Sequence, residues 1–283
     1  MKPIHAKKSF GQNFLQDSNI CRKIVDFARI GESDTVIEIG PGTGQLTDAI
    51  LQTGATVYGV EIDTDLIPQL KDRFAAPANP VGARFHLVEA DVLELDWNLL
   101  IPKKHSPRDV NDSSQQKQIK LLGNLPYNIA TRILTRMAEE RIGFQSFTFM
   151  VQKEVADRIL AAPGSKDYGY LTLVLAHRFR REKGFDVAPG AFRPRPKVIS
   201  HVMQISPYVE PQEEIDYPFF LRLIQTAFRH RRKTLWNNLT GLGIEPDLLR
   251  QAFESLRIAP KARAEEISLE VYRSLTRVLS FTP

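Results

Sequence analysis

A single cysteine, Cys21, stands in the 283 residues. One thiol cannot close an internal disulfide, which excludes a small extracellular scaffold held by disulfides. No Cys/His cluster has metal-ligand spacing, so no metal centre is expected, and Cys21 reads as a small core residue. No run of about 18 apolar residues is present, so no membrane-spanning helix is expected. The opening MKPIHAKKSFGQNF has lysines but no apolar stretch behind them, which is not the pattern of a secretory signal. These absences favour a reducing cytoplasm as the working compartment.

What is there is the balance of an ordinary globular chain, 42% hydrophobic and 25% charged. The length allows one substantial core and a smaller second domain. The formal net charge of +5 is unevenly placed: residues 1–150 hold 17 Lys+Arg against 18 Asp+Glu, whereas residues 151–283 hold 21 against 15. A basic second half points to a polyanionic partner.

From residue 35 onward, short apolar runs alternate with helical spacing. Strands are expected over 35–39, 56–61, 84–88, 119–122 and 147–151, with helices over 45–53, 64–74, 129–139 and 153–161. Such alternation implies a mostly parallel sheet with helices on both faces. Residues 171–179 and 198–205 also read as strands, able to pair antiparallel at a sheet edge. After residue 207 the strand pattern stops, and 219–228, 232–239, 246–256 and 268–280 have helical spacing. The expected division is therefore an α/β domain over 1–207 and a small all-α domain over 208–283. The polar stretch 103–118 reads as an exposed loop.

The first strand ends in Glu38-Ile39-Gly40-Pro41-Gly42-Thr43-Gly44. Alternating glycines let the chain turn tightly and let a ligand approach the main chain. The dinucleotide fingerprint needs a third glycine where Gln45 stands, so pyrophosphate binding is not indicated. The Gly-x-Gly-x-Gly form resembles that of S-adenosylmethionine-dependent methyltransferases of the Rossmann-like class. Glu61 ends the second strand, 21 residues after Gly40, where a carboxylate can accept from both ribose hydroxyls of an adenosine. Asp91 follows the third strand and can accept from an adenine amino group. Carboxylates also suit a cationic sulfonium better than a phosphate.

At the tip of the fourth strand stands Gly123-Asn124-Leu125-Pro126-Tyr127. It resembles the Asn/Asp-Pro-Pro-Tyr-type motif of enzymes that methylate exocyclic amines of nucleobases. An adenine amino nitrogen must pyramidalise before it attacks a methyl sulfonium. The Asn124 side-chain oxygen and the main-chain carbonyl of Leu125 or Pro126 can hold its two hydrogens in that geometry. Pro126 stiffens the turn, and Tyr127 offers a face for the base.

With these motifs in place, the chain from about Lys7 to Leu279 resembles the bacterial small-subunit (16S) ribosomal RNA adenine N6,N6-dimethyltransferase family. Lys8-Ser9-Phe10-Gly11-Gln12-Asn13-Phe14-Leu15 is similar to the family's N-terminal cofactor motif, and Val151 to Arg158 is similar to the motif after its fifth strand. The resemblance implies S-adenosyl-L-methionine contacts at Asn13, Leu15, Gly40, Glu61, Asp91 and Asn124, with Gly42 in the same glycine turn. Ala191 to Val198 resembles a further signature, whose phenylalanine, here Phe192, is expected to sandwich the adenine against Tyr127. Phe228 to Leu235 is also family-like. Its Arg229, Arg231, Arg232 and Lys233 read as a phosphate-binding stripe at a helix start, to which Lys7 and Lys8 can add.

The implied reaction places four methyl groups on two adjacent adenosines in the hairpin loop near the 3′ end of 16S ribosomal RNA. The implied setting is an immature 30S subunit, with the free chain a monomer. A large-subunit adenine methyltransferase shares the glycine and Asn-x-Pro-aromatic core. Tyr127 and the segments from Phe192 to Lys233 separate the two. The pattern also leaves open a ribosome-assembly factor that binds RNA without needing catalysis, and a DNA amine methyltransferase.

Overall fold

Thr35–Ile39 forms a strand, β2, whose side chains are all buried. A strand buried on both faces needs helices on both faces, and the parallel register supplies them. The computed structural model describes residues 12–75, 80–100, 119–126, 128–140, 142–209 and 215–280. Tyr127, Lys7, Lys8 and the stretch 103–118 lie outside the described residues.

The chain opens with β1 (Phe14–Leu15) and α1 (Ser18–Phe27), then β2 and α2 (Gln45–Leu51). There follow β3 (Thr56–Glu61), α3 (Ile67–Arg73), β4 (Phe85–Glu89), β5 (Ile119–Asn124) and α4 (Ala130–Glu140). After β6 (Ser146–Gln152) come two helices, α5 (Lys153–Leu160) and α6 (Tyr170–Arg178). The remaining strands are β7 (Phe179–Val187), β8 (Phe192–Arg193) and β9 (Ser200–Pro207). The helices α7 (Tyr217–Ala227), α8 (Leu235–Leu239), α9 (Pro246–Ser255) and α10 (Leu269–Ser280) complete the described chain.

Seven strands form one sheet in the order β4-β3-β2-β5-β6-β9-β7. The pairs among β4, β3, β2, β5 and β6 are parallel, and β6–β9 is antiparallel. The expected mostly parallel sheet with an antiparallel edge is what forms. The edge strand β7 exposes Arg180, Glu182 and Lys183, charges that discourage pairing with another chain. Asp186 of β7 accepts from Lys153 at 3.0 Å and meets His201 Nδ1 at 2.5 Å, which ties the edge to β9 and to the start of α5. The His201 bond, then Lys153, holds the Asp186 carboxyl below the usual carboxylate range.

Two sets of contacts fix the entry side of the sheet. Asp17 caps α1 by accepting from the N–H groups of Asn19 and Ile20. The helix then buries Cys21, Ile24 and Val25, an i, i+3, i+4 face. Burial pushes the Cys21 thiol up to about 12, so it stays a neutral core group. After the helix, Lys120 Nζ lies 2.8 Å from Asp34 Oδ2 and 2.5 Å from the Arg29 carbonyl. Both charged side chains are buried, and the carbonyl bond helps offset the desolvation of the ammonium.

Three expectations are corrected. Residues 171–179 are not a strand: Tyr170–Arg178 is the helix α6, and the strand begins where it was expected to end. All residues from Leu171 to His177 are buried, so the segment has no polar face to reveal a helical period. The helix expected over 232–239 begins at Leu235, after the N-cap Thr234, which accepts from Asn237 N. The division at 207 omits a segment, because Asp157–Phe179 groups with the compact unit that resumes at Tyr208. In that helical unit, Tyr168 donates to the Ile267 carbonyl and Tyr272 to the Ala264 carbonyl, so both buried phenols are satisfied. The Arg178 guanidinium lies 3.9 Å from the centre of the Tyr217 ring.

Candidate active site

Strand order reverses at β2, with β3 and β4 on one side and β5 and β6 on the other. A crevice opens outside the carboxyl ends of parallel strands at such a point. Gly40 follows β2 and Asn124 ends β5, so the two motifs meet there. The cleft has a volume of about 230 Å³ and is lined by Asn13, Gly40, Gly42, Glu61, Asp91 and Asn124, among others. All six were expected at one site from sequence.

The glycine turn is held in a conformation that other residues resist. Gly40 and Gly42 have φ of 67° and 60°. A Cβ on Gly42 would stand 3.0 Å from the Phe14 ring, whereas one on Gly40 would meet nothing within 4 Å. Gly40 therefore leaves open space beside the main chain, on the wall of the cleft.

Glu61 is 6% exposed. Its carboxylate accepts from the N–H groups of Asp63 at 2.9 Å, Ile62 at 3.0 Å and Gly42 at 3.2 Å. It thus joins the end of β3 to the glycine turn. Burial raises its pKa against the opposing pull of those three N–H groups. Ile62, beside it, is 46% exposed and gives the cleft an apolar surface next to the carboxylate. Asp91 Oδ1 accepts from Leu93 N at 2.8 Å, which fixes the turn after β4.

Asn124 Nδ2 donates to the Asn13 carbonyl at 2.9 Å. That bond commits the amide nitrogen and leaves Oδ1 as an oriented acceptor. The neighbouring carbonyls differ. Pro126 O takes the N–H groups of both Ile129 and Ala130, starting α4. Leu125 O accepts no hydrogen bond among the described residues. Of the two main-chain acceptors left open by the sequence, the Leu125 carbonyl is the available one.

Leu15 lies beside the main cleft, in an adjoining cavity of about 30 Å³ shared with Glu38 and Asn124. Phe192 is a correction. It is fully buried in the apolar cluster with Leu15 and Met150, and it does not line the cleft. The cause is the antiparallel pairing of β1 with β8, which sets Leu15 opposite Phe192 and commits the ring to the core. The basic stripe is also displaced. Residues 229–233 form the turn between α7 and α8, not a helix start. Arg231 there donates to the carbonyls of Lys166 and Tyr168, at 2.5 and 3.0 Å, and so clips two loops of its own unit together. Arg229, Arg232 and Lys233 are exposed.

Sequence reading missed Ile62, Leu93, Arg132 and Glu38. An apolar residue directly after the strand-ending Glu61 was a usable signal for Ile62. Glu38 is 1% exposed and accepts from Thr47 Oγ1 at 2.6 Å. Burial, with Glu61 and Asp48 adding repulsion, raises its pKa from 4.5 to about 8.

The profile of the family "Ribosomal RNA adenine dimethylase" matches residues 4–280. The chain belongs to the ribosomal RNA adenine dimethylase family. A Clostridium botulinum protein named ribosomal RNA small subunit methyltransferase A is 39% identical over 270 residues, 95% of this chain and 92% of that one. An Aromatoleum aromaticum protein of the same name is 38% identical over 281 residues, 99% and 96% of the two chains. The dimethyladenosine transferase from Plasmodium falciparum superposes with a TM-score of 0.72 at 23% identity, over 93% of this chain and 95% of that one. The 23S rRNA methyltransferase ErmE gives 0.67 at 22% identity, over 95% and 100%. At such identities the likeness shows the fold, a class I methyltransferase sheet with a helical C-terminal region. As a member of the dimethylase family the protein is an rRNA methyltransferase, with S-adenosylmethionine as methyl donor. The open side of Gly40, two carboxylates and the apolar Ile62 fit a cationic ligand that carries an adenosine.

The raised Glu38 pKa has a consequence for stability. The folded state keeps this proton between pH 4.5 and about 8, where the unfolded chain has lost it. The contribution of Glu38 is therefore fully present below pH 4.5 and is lost as pH rises through about 8. Glu38→Gln is expected to gain on the native protein steadily from about pH 5 to pH 8.5, read as urea midpoints. Parallel pH profiles for the two proteins would show that Glu38 is ionised throughout.

Proposed function

We propose that this dimethylase transfers methyl groups from S-adenosylmethionine to the N6 amines of two adjacent adenosines in the hairpin loop near the 3′ end of 16S ribosomal RNA. Four methyls are transferred in all, and the substrate is an immature 30S subunit bound by a monomer in the cytoplasm. The observation that carries the reading is the oriented Asn124 amide, held by the Asn13 carbonyl on the cleft wall. Relatives 38–40% identical over 95% or more of the chain, named for the small subunit, support the choice of RNA.

Bound S-adenosylmethionine supplies an electrophilic methyl group on a sulfonium. Gly40 and Gly42 offer it the main chain, Glu61 takes the ribose hydroxyls, and Asp91 takes the adenine amino group. Asn124 Oδ1 and Leu125 O accept the two hydrogens of the target amine. Fixed acceptors favour a pyramidal nitrogen and stabilise the positive charge that develops on it. No strong general base is needed, because the alkylated nitrogen is acidic. Pro126 holds the turn rigid by accepting the first N–H groups of α4. Tyr127, next in sequence, provides the stacking face. Phe192 is left out of this assignment because its ring is in the core. In the helical unit, Arg229, Arg232 and Lys233 meet RNA phosphates.

Two outcomes check this reading. Glu61→Gln is expected to weaken S-adenosylmethionine binding about tenfold or more by calorimetry, the loss of a charge-assisted hydrogen bond. Unchanged affinity would refute the ribose assignment. Mass spectrometry of immature small subunits incubated with protein and cofactor is expected to find two adjacent dimethyladenosines near the RNA 3′ end. Dimethylation of large-subunit RNA alone would refute the choice of substrate.

A further inference from the structure

The cleft wall carries one cation among the described residues, Arg132. It stands in the first turn of α4, the helix that begins at Ala130, shortly after the Asn124 to Pro126 turn. Its side chain is exposed and makes no hydrogen bond or ion pair among the described residues. Arg136, one turn further on, behaves differently. Its guanidinium donates to the carbonyls of Val92 and Leu95, at 2.7 and 2.6 Å, and pairs with Glu140. One arginine of α4 is thus consumed in holding the turn after β4. The other presents an uncommitted guanidinium at the mouth of a site that already contains two carboxylates.

A second group of uncommitted cations follows a residue that pairs beside the cleft. Arg193 pairs in register with Phe14, which lines the cleft. The chain leaves β8 as Arg193-Pro194-Arg195-Pro196-Lys197. Arg195 and Lys197 are exposed and make no hydrogen bond or ion pair among the described residues. Alternating prolines fix φ and remove donors, so they keep such a segment from forming regular structure. The segment is looped, with bends at Pro194 and at Lys197 and Val198, and it holds Arg195 and Lys197 in solvent, where the phosphates of a single strand can reach them.

We infer that Arg132, together with Arg195 and Lys197, grips the RNA backbone beside the adenosine delivered to Asn124. Arg132 acts as the positioning residue. This rests on the proposed function. An adenosine must leave its stack to reach a recessed acceptor, and that step costs unstacking energy. Phosphate contacts at the rim of the cleft offset the cost, because they form when the backbone is drawn across its mouth. A guanidinium can hold a phosphate through two parallel N–H bonds, which fixes orientation as well as position. The site on the helical unit, at Arg229, Arg232 and Lys233, then serves general attachment, and the rim serves register.

The test compares Arg132→Gln, Arg132→Lys and the double variant Arg195→Gln/Lys197→Gln with the native protein. The substrate is the immature small subunit. Arg132→Gln is expected to raise the KM for RNA about tenfold, with Arg132→Lys between the two and S-adenosylmethionine affinity unchanged by calorimetry. The slope of log affinity against log salt is expected to fall by about 0.7 for each phosphate contact removed. An unchanged salt slope in all variants would overturn the inference. So would a loss of S-adenosylmethionine affinity in Arg132→Gln, which would assign the guanidinium to the cofactor carboxylate. The native protein reads the proposed function separately. If it fails to methylate the immature subunit, that function falls and takes the inference with it. Native methylation with unaltered variants removes the inference alone.

Discussion

Parallel strands leave their carboxyl ends on one edge of a sheet, and where the winding reverses the crossovers diverge and that edge stays open. Here the reversal falls at β2, with β5 as its neighbour on the other side. The glycine turn after β2 and the Asn-Leu-Pro turn after β5 must therefore face one crevice. Glu61 and Asp91 are brought to the same edge by the parallel register of β3 and β4. Every later feature of the site, from the open side of Gly40 to the cation at Arg132, is placed by that reversal.

Hydrogen bonds then convert proximity into fixed geometry. Glu61 holds the glycine turn by accepting from Gly42, and Asn13 holds Asn124 by accepting its amide nitrogen. Gln12 donates to Asp63 at 2.6 Å, which ties the approach to β1 to the loop after β3. Acceptors arranged in advance need little reorganisation when charge develops, which is where such sites gain rate. Burial acts against ionisation at both Glu38 and Glu61. Glu61 is compensated by three N–H groups, whereas Glu38 has the one Thr47 hydroxyl and stays protonated to about pH 8.

Much of this was legible in the sequence for physical reasons. A glycine needed at positive φ beside a ligand has no substitute, so Gly40 and Gly42 announced themselves. A carboxylate at a strand end is visible at a fixed distance from such a turn, as Glu61 was. The rest lacked local signals. Helix α6 is buried all round and showed no period. Strand β7 is polar and on the edge, so it did not alternate. Two-residue strands such as β1 and β8 carry no pattern, and their pairing is what sent Phe192 into the core. The Asn124–Asn13 bond spans 111 positions, and nothing near either residue points to the other. Arg231 looked like a phosphate contact because its bonds to Lys166 and Tyr168 depend on a loop far away in the chain.

The central claim is that Asn124, oriented by Asn13, acts on the reacting amine. Single-turnover methylation by Asn124→Ala, at saturating RNA and S-adenosylmethionine, tests it most directly. Loss of one fixed polar partner of the transition state is expected to slow the step by about 10²–10³-fold. A single-turnover rate close to that of the native protein would contradict the claim.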